Sequence, residues 1–131
     1  MESLAQLVQR PGLTAPAVHI EDAPRFAFRA TMIDTARHFY PLQFILAHLD
    51  AMAATKMNVL HWHLVDIESF PYASKAFPQL SEHGAYHPGE VYTADDIAKV
   101  VSYATGTRPR PTICTCMHVS VCVCVCVCVC V

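Results

Sequence analysis

Cysteine is missing from the first 113 residues of this 131-residue chain, and all seven cysteines crowd into the last eighteen. A disulfide framework spreads its cysteines through the loops it staples, so this distribution excludes a disulfide-built body and leaves the redox compartment unspecified. Basic charge is not in excess either. Nine Lys plus Arg against eleven Asp plus Glu leave a formal charge of −2, which gives no electrostatic footprint for nucleic acid or an anionic membrane. No run approaches the ~18 uninterrupted apolar residues of a membrane span. The start, Met1 to Val8, has neither the basic leader nor the apolar run of a secretory signal. The single asparagine, Asn58, precedes Val59 and Leu60 and makes no glycosylation sequon. The expectation is a chain with no nucleic-acid partner, no membrane partner and no address label of its own.

What is present is an apolar content of 53%, ample for the core of one modest domain. Pro11, Gly12, Pro16 and Pro24 mark residues 11–24 as connecting chain, and 1–24 is expected to be a linker. Residues 26–36 mix aromatic, β-branched and small residues and predict a short buried strand. Leu42, Ile45, Leu46, Leu49, Met52 and Ala53 form one helical stripe, which predicts a helix over 41–57 with Pro41 at its start. Residues 58–65, Asn-Val-Leu-His-Trp-His-Leu-Val, are β-branched and aromatic and predict a second strand.

Residues 66–92 read as a long aromatic loop stopped by Pro71, Pro78 and Pro88, and loops of that length usually shape a site. Thr93 and Asp96 then form a cap for a helix over 94–104, whose inner face would carry Ile97, Val100, Val101 and Ala104. The order strand, helix, strand, loop, helix implies parallel strands in a doubly wound sheet or a barrel. Gly106, Pro109 and Pro111 suit a third strand badly.

His61 and His63 would share one face of the second strand, with Trp62 on the other. Two imidazoles on one face are half of a zinc site of the metal-dependent hydrolase type, or hydrogen-bonded structural histidines; the pattern alone leaves both open. Asp66 follows where the strand should end, the position from which carboxylates of barrel folds face an active site, although a loop cap reads equally. Asp34, Arg37 and His38 fall at the matching end of the first strand. Arg37 offers a planar fork of donors to sugar hydroxyls or a carboxylate, or else a salt bridge to Asp34 or Asp66. Phe70, Tyr72, Phe77 and Tyr86 are either stacking surfaces or anchors of the loop.

From Arg29 to Ala104 the sequence resembles the start of the catalytic domain of family 20 glycoside hydrolases, the β-N-acetylhexosaminidases, and especially the animal lysosomal subunits. The likeness rests on Arg29-Ala-Thr-Met-Ile-Asp34-Thr-Ala-Arg37-His38-Phe-Tyr-Pro41 and on Asn58-Val-Leu-His-Trp-His-Leu-Val-Asp66. The resemblance implies a fold of the α/β class: the first two βα units of a TIM-type (β/α)8 barrel, incomplete, over residues 25–104. It implies that Arg37 grips hydroxyls of the terminal sugar, that Asp66 supports a histidine near the catalytic acid, and that His63 has a supporting role. It also implies that the histidine pair binds no metal and that no cofactor is needed.

The expected substrates are N-acetylglucosamine- or N-acetylgalactosamine-terminated glycans, the full-length proteins are expected to be dimers, and the expected location is lysosomal or secreted. Members of the family use the substrate's acetamido oxygen as nucleophile, assisted by an Asp-Glu pair on a later strand. No such catalytic pair is expected in this chain, so hydrolysis by it alone is not expected. Ile67 and Glu68 stand where the family has an aspartate and a proline, and Ala30 stands for a glycine.

The resemblance stops at Thr105. Residues 105–131 are expected to be a disordered or aberrant tail, because the alternation of Val and Cys after Ser120 is what a TG dinucleotide repeat encodes when read in threes. Retained intron sequence or a mis-drawn gene would produce it, and a non-enzymatic product is the remaining alternative.

Overall fold

The computed structural model describes residues 19–106 and the strand backbones of 112–117 and 125–129. Strand β1 (Ala30–Asp34) leads into helix α1 (Leu42–Ala54), and strand β2 (Val59–Val65) into the long loop, which carries a short helix α2 (Gln79–Gly84). Helix α3 (Ala94–Gly106) follows, then strands β3 (Thr112–Met117) and β4 (Val125–Val129). The sheet order is β1-β2-β3-β4; the first three strands are parallel and β4 runs antiparallel to β3. The protein is thus α/β, with helices connecting parallel strands as the periodicity predicts.

The two long helices form for the reasons visible in their sequences. In α1, Ile45, Leu49 and Met52 are buried while Leu42 and Leu46 pack against the same cluster. Its carboxyl end closes with the Met57 amide donating to the Met52 carbonyl at 2.9 Å and the Lys56 amide to Ala53 at 3.2 Å. That double closure places Lys56 at φ 60°, a left-handed position usually given to glycine. In α3, the Thr93 hydroxyl donates to Asp96 Oδ2 at 2.7 Å and accepts the Asp96 amide at 3.2 Å, so the expected cap forms. Val100 and Ala104 are buried, with Ile97 and Val101 beside them.

The core lies on one face of β1 and β2, where Ile33, Leu60, Trp62 and Leu64 meet α1, α3 and Tyr92. Trp62 is completely buried, stands edge-on to Tyr92 at 5.1 Å, and donates its indole Nε1–H to Thr35 Oγ1 at 2.9 Å. An indole is buried at low cost only when its N–H finds an acceptor, and Thr35 supplies one. The opposite face of the same strands carries Met32, Asp34, His61 and His63, of which Met32 is 62% exposed.

Three segments differ from the sequence reading. Residues 26–29 are not strand: the Asn58 side chain and Arg29 guanidinium take the Phe26 and Ala27 carbonyls, which keeps them off a ladder. A helix, α2, sits inside the expected loop, because Pro78 starts a single turn too short to show a periodicity. Residues 105–131, expected to be a disordered or aberrant tail, contribute β3 and β4, and β3 pairs in parallel with β2. The β-branched valines of β4 favour an extended backbone.

Candidate active site

Parallel pairing of β1 with β2 sets Asp34 opposite His63 and brings both carboxyl-terminal strand ends to one rim. Asp34 builds the turn that follows: its Oδ1 accepts the amides of Ala36 at 3.0 Å and Arg37 at 3.1 Å. An aspartate that caps its own turn in this way fixes where the next side chains leave the backbone. Thr35 locks the turn to β2, its amide donating to the His63 carbonyl at 3.0 Å.

Arg37 is thereby held over the rim with three carboxylates around its guanidinium. Its Nη1 donates to Asp34 Oδ2 at 2.7 Å and lies 2.9 Å from Asp66 Oδ2, while Nη2 donates to Glu68 Oε1 at 3.3 Å. The arginine is half exposed, so part of its fork still faces solvent. His63 completes the group by donating Nε2–H to Asp66 Oδ2 at 2.8 Å. The site therefore consists of Asp34, Arg37, His63, Asp66 and Glu68, drawn from two strand ends and one loop.

The charges in this group reinforce one another. The backbone amide of Ile67, donated to Asp66 Oδ1 at 2.7 Å, together with His63 and Arg37 holds the Asp66 carboxyl down at about 2 despite some burial. Burial pushes Asp34 up, but hydrogen bonds and charge from Arg37, aided by His63, outweigh it and leave its carboxyl below the usual range. The hydrogen bond to Asp34 and the surrounding carboxylates raise Arg37 further above its ordinary value. Both aspartates are thus fixed as anions at neutral pH, able to orient donors but not to give a proton to a leaving group.

The loop behind the rim is strapped down at several points. The Asp66 amide donates to Ser69 O at 3.0 Å, the Phe70 amide to Gly84 O at 2.9 Å, and the Tyr92 amide to Pro71 O at 2.8 Å. Tyr92, which the sequence reading did not single out, is the deepest anchor: it is buried, stacks on Phe39 at 4.7 Å and donates its hydroxyl to Tyr40 O at 2.5 Å. Burial pushes its phenol up to about 12, so it stays a neutral donor. Of the aromatics the sequence singled out, Phe70 and Tyr72 pack against the core as anchors, whereas Phe77 and Tyr86 are 66% and 60% exposed.

The predicted residues Arg37, Asp66 and His63 are brought together. His38 instead tilts its ring against Tyr40 at 4.8 Å. His61 shares a strand face with His63, yet His63 gives its ring N–H to Asp66. Among the described residues no group of three or more His, Cys, Asp or Glu side chains is arranged to hold a metal ion. Sequence reasoning missed Glu68 as a partner of Arg37 and Thr35 as the lock beneath it; the 31-residue separation of Glu68 from Arg37 hides that contact until the strands pair.

A family model described as "Glycosyl hydrolase family 20, catalytic domain" matches residues 26–108, more than half of the chain. The chain belongs to that family. Among curated relatives, beta-hexosaminidase subunit beta of Felis catus is 49% identical over 107 residues, covering 79% of this chain and 20% of that protein. The Homo sapiens beta-hexosaminidase subunit beta is 47% identical over 107 residues, 79% of this chain and 19% of the relative. A solved family 20 beta-N-acetylglucosaminidase superposes with a TM-score of 0.75 at 37% identity, covering 87% of this chain and 24% of that one. The chain spans about a fifth of the length of the curated relatives it matches.

Proposed function

We propose that this family 20 chain supplies the sugar-gripping rim of a β-N-acetylhexosaminidase, an enzyme that removes terminal non-reducing N-acetylhexosamine residues from glycoconjugates. The family match across the two strand ends that carry Arg37 and Asp66 is the observation that supports the reading. In it, β1-α1 and β2-α3 are the first two βα units of a (β/α)8 barrel, residues 25–104 its partial catalytic domain, 1–24 a linker and 105–131 a tail that leaves the family match after residue 108. The half-open face bearing Met32, Asp34, His61 and His63 suits the interior of such a barrel, and the rim suits its carboxyl-terminal face, where barrel enzymes build their sites.

Arg37 binds vicinal sugar hydroxyls with the solvent-facing part of its fork, and Asp34 and Asp66 hold it rigid for that purpose. His63 orients Asp66, which serves as the support carboxylate. The reaction runs by substrate-assisted retention, with the acetamido oxygen as nucleophile. A general acid for it needs a raised pKa, and Asp34 and Asp66 are lowered, so neither fills that role. The substrates are N-acetylglucosamine- or N-acetylgalactosamine-terminated glycans; the whole enzyme acts in the lysosome, as a dimer.

Calorimetric titration of N-acetylglucosamine into the full chain tests the reading. Saturable binding that disappears in Arg37→Met is expected, with no hydrolysis of a chromogenic N-acetyl-β-glucosaminide by the chain alone. Binding that Arg37→Met leaves unchanged would overturn it.

A further inference from the structure

Two neighbouring strands bring histidines and cysteines into register on one face of the sheet. Parallel pairing of β2 with β3 sets His61 opposite Cys114 and His63 opposite Cys116. Residues directly opposite each other share a face of a sheet, and so do residues two apart along a strand. The backbone positions of the four therefore mark a rectangle about 4.8 Å across the strands and about 6.6 Å along them. The pairing is regular from Val59 to His63 and slips only beyond, before Val65. This is the face opposite the core, so the rectangle does not compete with Trp62 and its neighbours.

His63 adds a second observation. It gives Nε2–H to Asp66 Oδ2 at 2.8 Å, which leaves Nδ1 with the lone pair of the neutral ring. Histidines that ligate metals nearly always spend their other nitrogen in this way, on a group such as a carboxylate that fixes tautomer and ring. A set of two imidazoles and two thiolates suits zinc, and one intervening residue between the members on each strand lets both strands contribute a pair. The family 20 resemblance implies no metal at the histidine pair, but Cys114 and Cys116 lie past the family match, which ends at residue 108. That expectation therefore does not cover the histidines with these neighbours.

We infer that the juxtaposition of His61 and His63 on β2 with Cys114 and Cys116 on β3 is a binding site for one zinc-like divalent cation. Binding needs no redox step: each cysteine thiol gives its proton to solvent and its sulfur electron pair to the metal. On the other side of β3, Cys128 stands opposite Cys114 and Cys126 opposite Cys116, in antiparallel register. Those two lie two strand spacings from β2, so only the cysteines of β3 neighbour the histidines directly. An ion in the rectangle staples β3, which follows the family match, to β2, which lies within it.

Titration of the full metal-free chain with cobalt(II), under a reductant that is not itself a thiol, tests the site. One ion per chain is expected, with the visible bands of a tetrahedral ion and the charge-transfer absorption of two thiolates, both lost on adding equimolar zinc. Cys114→Ser and His61→Ala should each weaken cobalt by about tenfold or more, while Cys122→Ser and Cys124→Ser, which are not in the rectangle, leave it unchanged. Asp66→Asn, which takes the carboxylate from behind His63, should weaken it by roughly tenfold. His61→Cys restores a ligand and should recover binding, with the absorption of a third thiolate, an outcome that separates ligation from a structural role of His61. Wild-type affinity in His61→Ala, or the absorption of four thiolates in the unaltered chain, would assign the ion to cysteines alone and overturn the site. Failure of the reduced chain to bind either metal would overturn it as well.

Discussion

Strand β1 has an arginine near each end, and the two are held in different ways. At the amino-terminal end, half-buried Arg29 donates only to backbone carbonyls: Nε to Lys56 at 2.6 Å, and Nη1 to Phe26 at 2.6 Å and Ala27 at 3.2 Å. Asn58 adds to the same knot, accepting the Arg29 amide at 2.9 Å. At the carboxyl-terminal end, Arg37 is gripped by three carboxylates and stays half exposed. Carbonyls that belong to the backbone cannot leave, so Arg29 is a clamp. Side-chain carboxylates orient a guanidinium whose outer N–H groups remain available, so Arg37 can serve a ligand.

The most severe way to break this comparison is to remove what both ends share. Trp62→Ala empties the centre of the core and removes the indole donor to Thr35 Oγ1; a loss of about 3–5 kcal/mol is expected in urea unfolding, enough to abolish folding of a marginal domain. Next in size is the paired replacement of the arginines. Arg29→Met should cost about 2–3 kcal/mol, because three carbonyls lose a charged donor. Arg37→Met should unfold at a denaturant concentration closer to wild type, since its partners are solvated, while losing sugar binding. A larger stability loss from Arg37→Met than from Arg29→Met would reverse the distinction.

Acid titration separates the two ends without replacing the core. Asp66 is lowered to about 2 from an ordinary 3.8, and Asp34 is lowered as well. Lowered folded values mean that both carboxylates stabilise the fold above about pH 3.8 and that this contribution is lost as pH falls from there towards 2. Unfolding midpoints measured across that window should fall steeply for wild type and Arg29→Met, and less steeply for Arg37→Met. The smallest expected effect is at the clamp end. Lys56→Gly relieves a left-handed lysine and should stabilise by about 0.5 kcal/mol, the lost contact with Asp22 offsetting part of the gain.

Elements with a clear period were legible. The stripe Leu42, Ile45, Leu49, Met52 meets the core, and the Thr93–Asp96 cap closes at the residue pair that predicted it. Arg37, Asp66 and His63 were legible as candidates because their residue types and their places at strand ends suggested a rim. Helix α2 was not legible, since a six-residue helix has too few positions to reveal a face. The pairing of residues 112–117 with β2 was hidden for another reason: Gly106, Pro109 and Pro111 argue against a strand locally, and a sheet edge recruits the chain just beyond them.

By itself, the sequence determined the chemistry available to this protein: which side chains exist, which segments favour helix or strand, and which family pattern they follow. Those properties are local and need no knowledge of distant neighbours. Only the tertiary structure decided that Glu68 joins Arg37 and that Thr35 receives the Trp62 indole. Each of these depends on β1 and β2 pairing in one register, which places residues about thirty positions apart within a single hydrogen bond's reach.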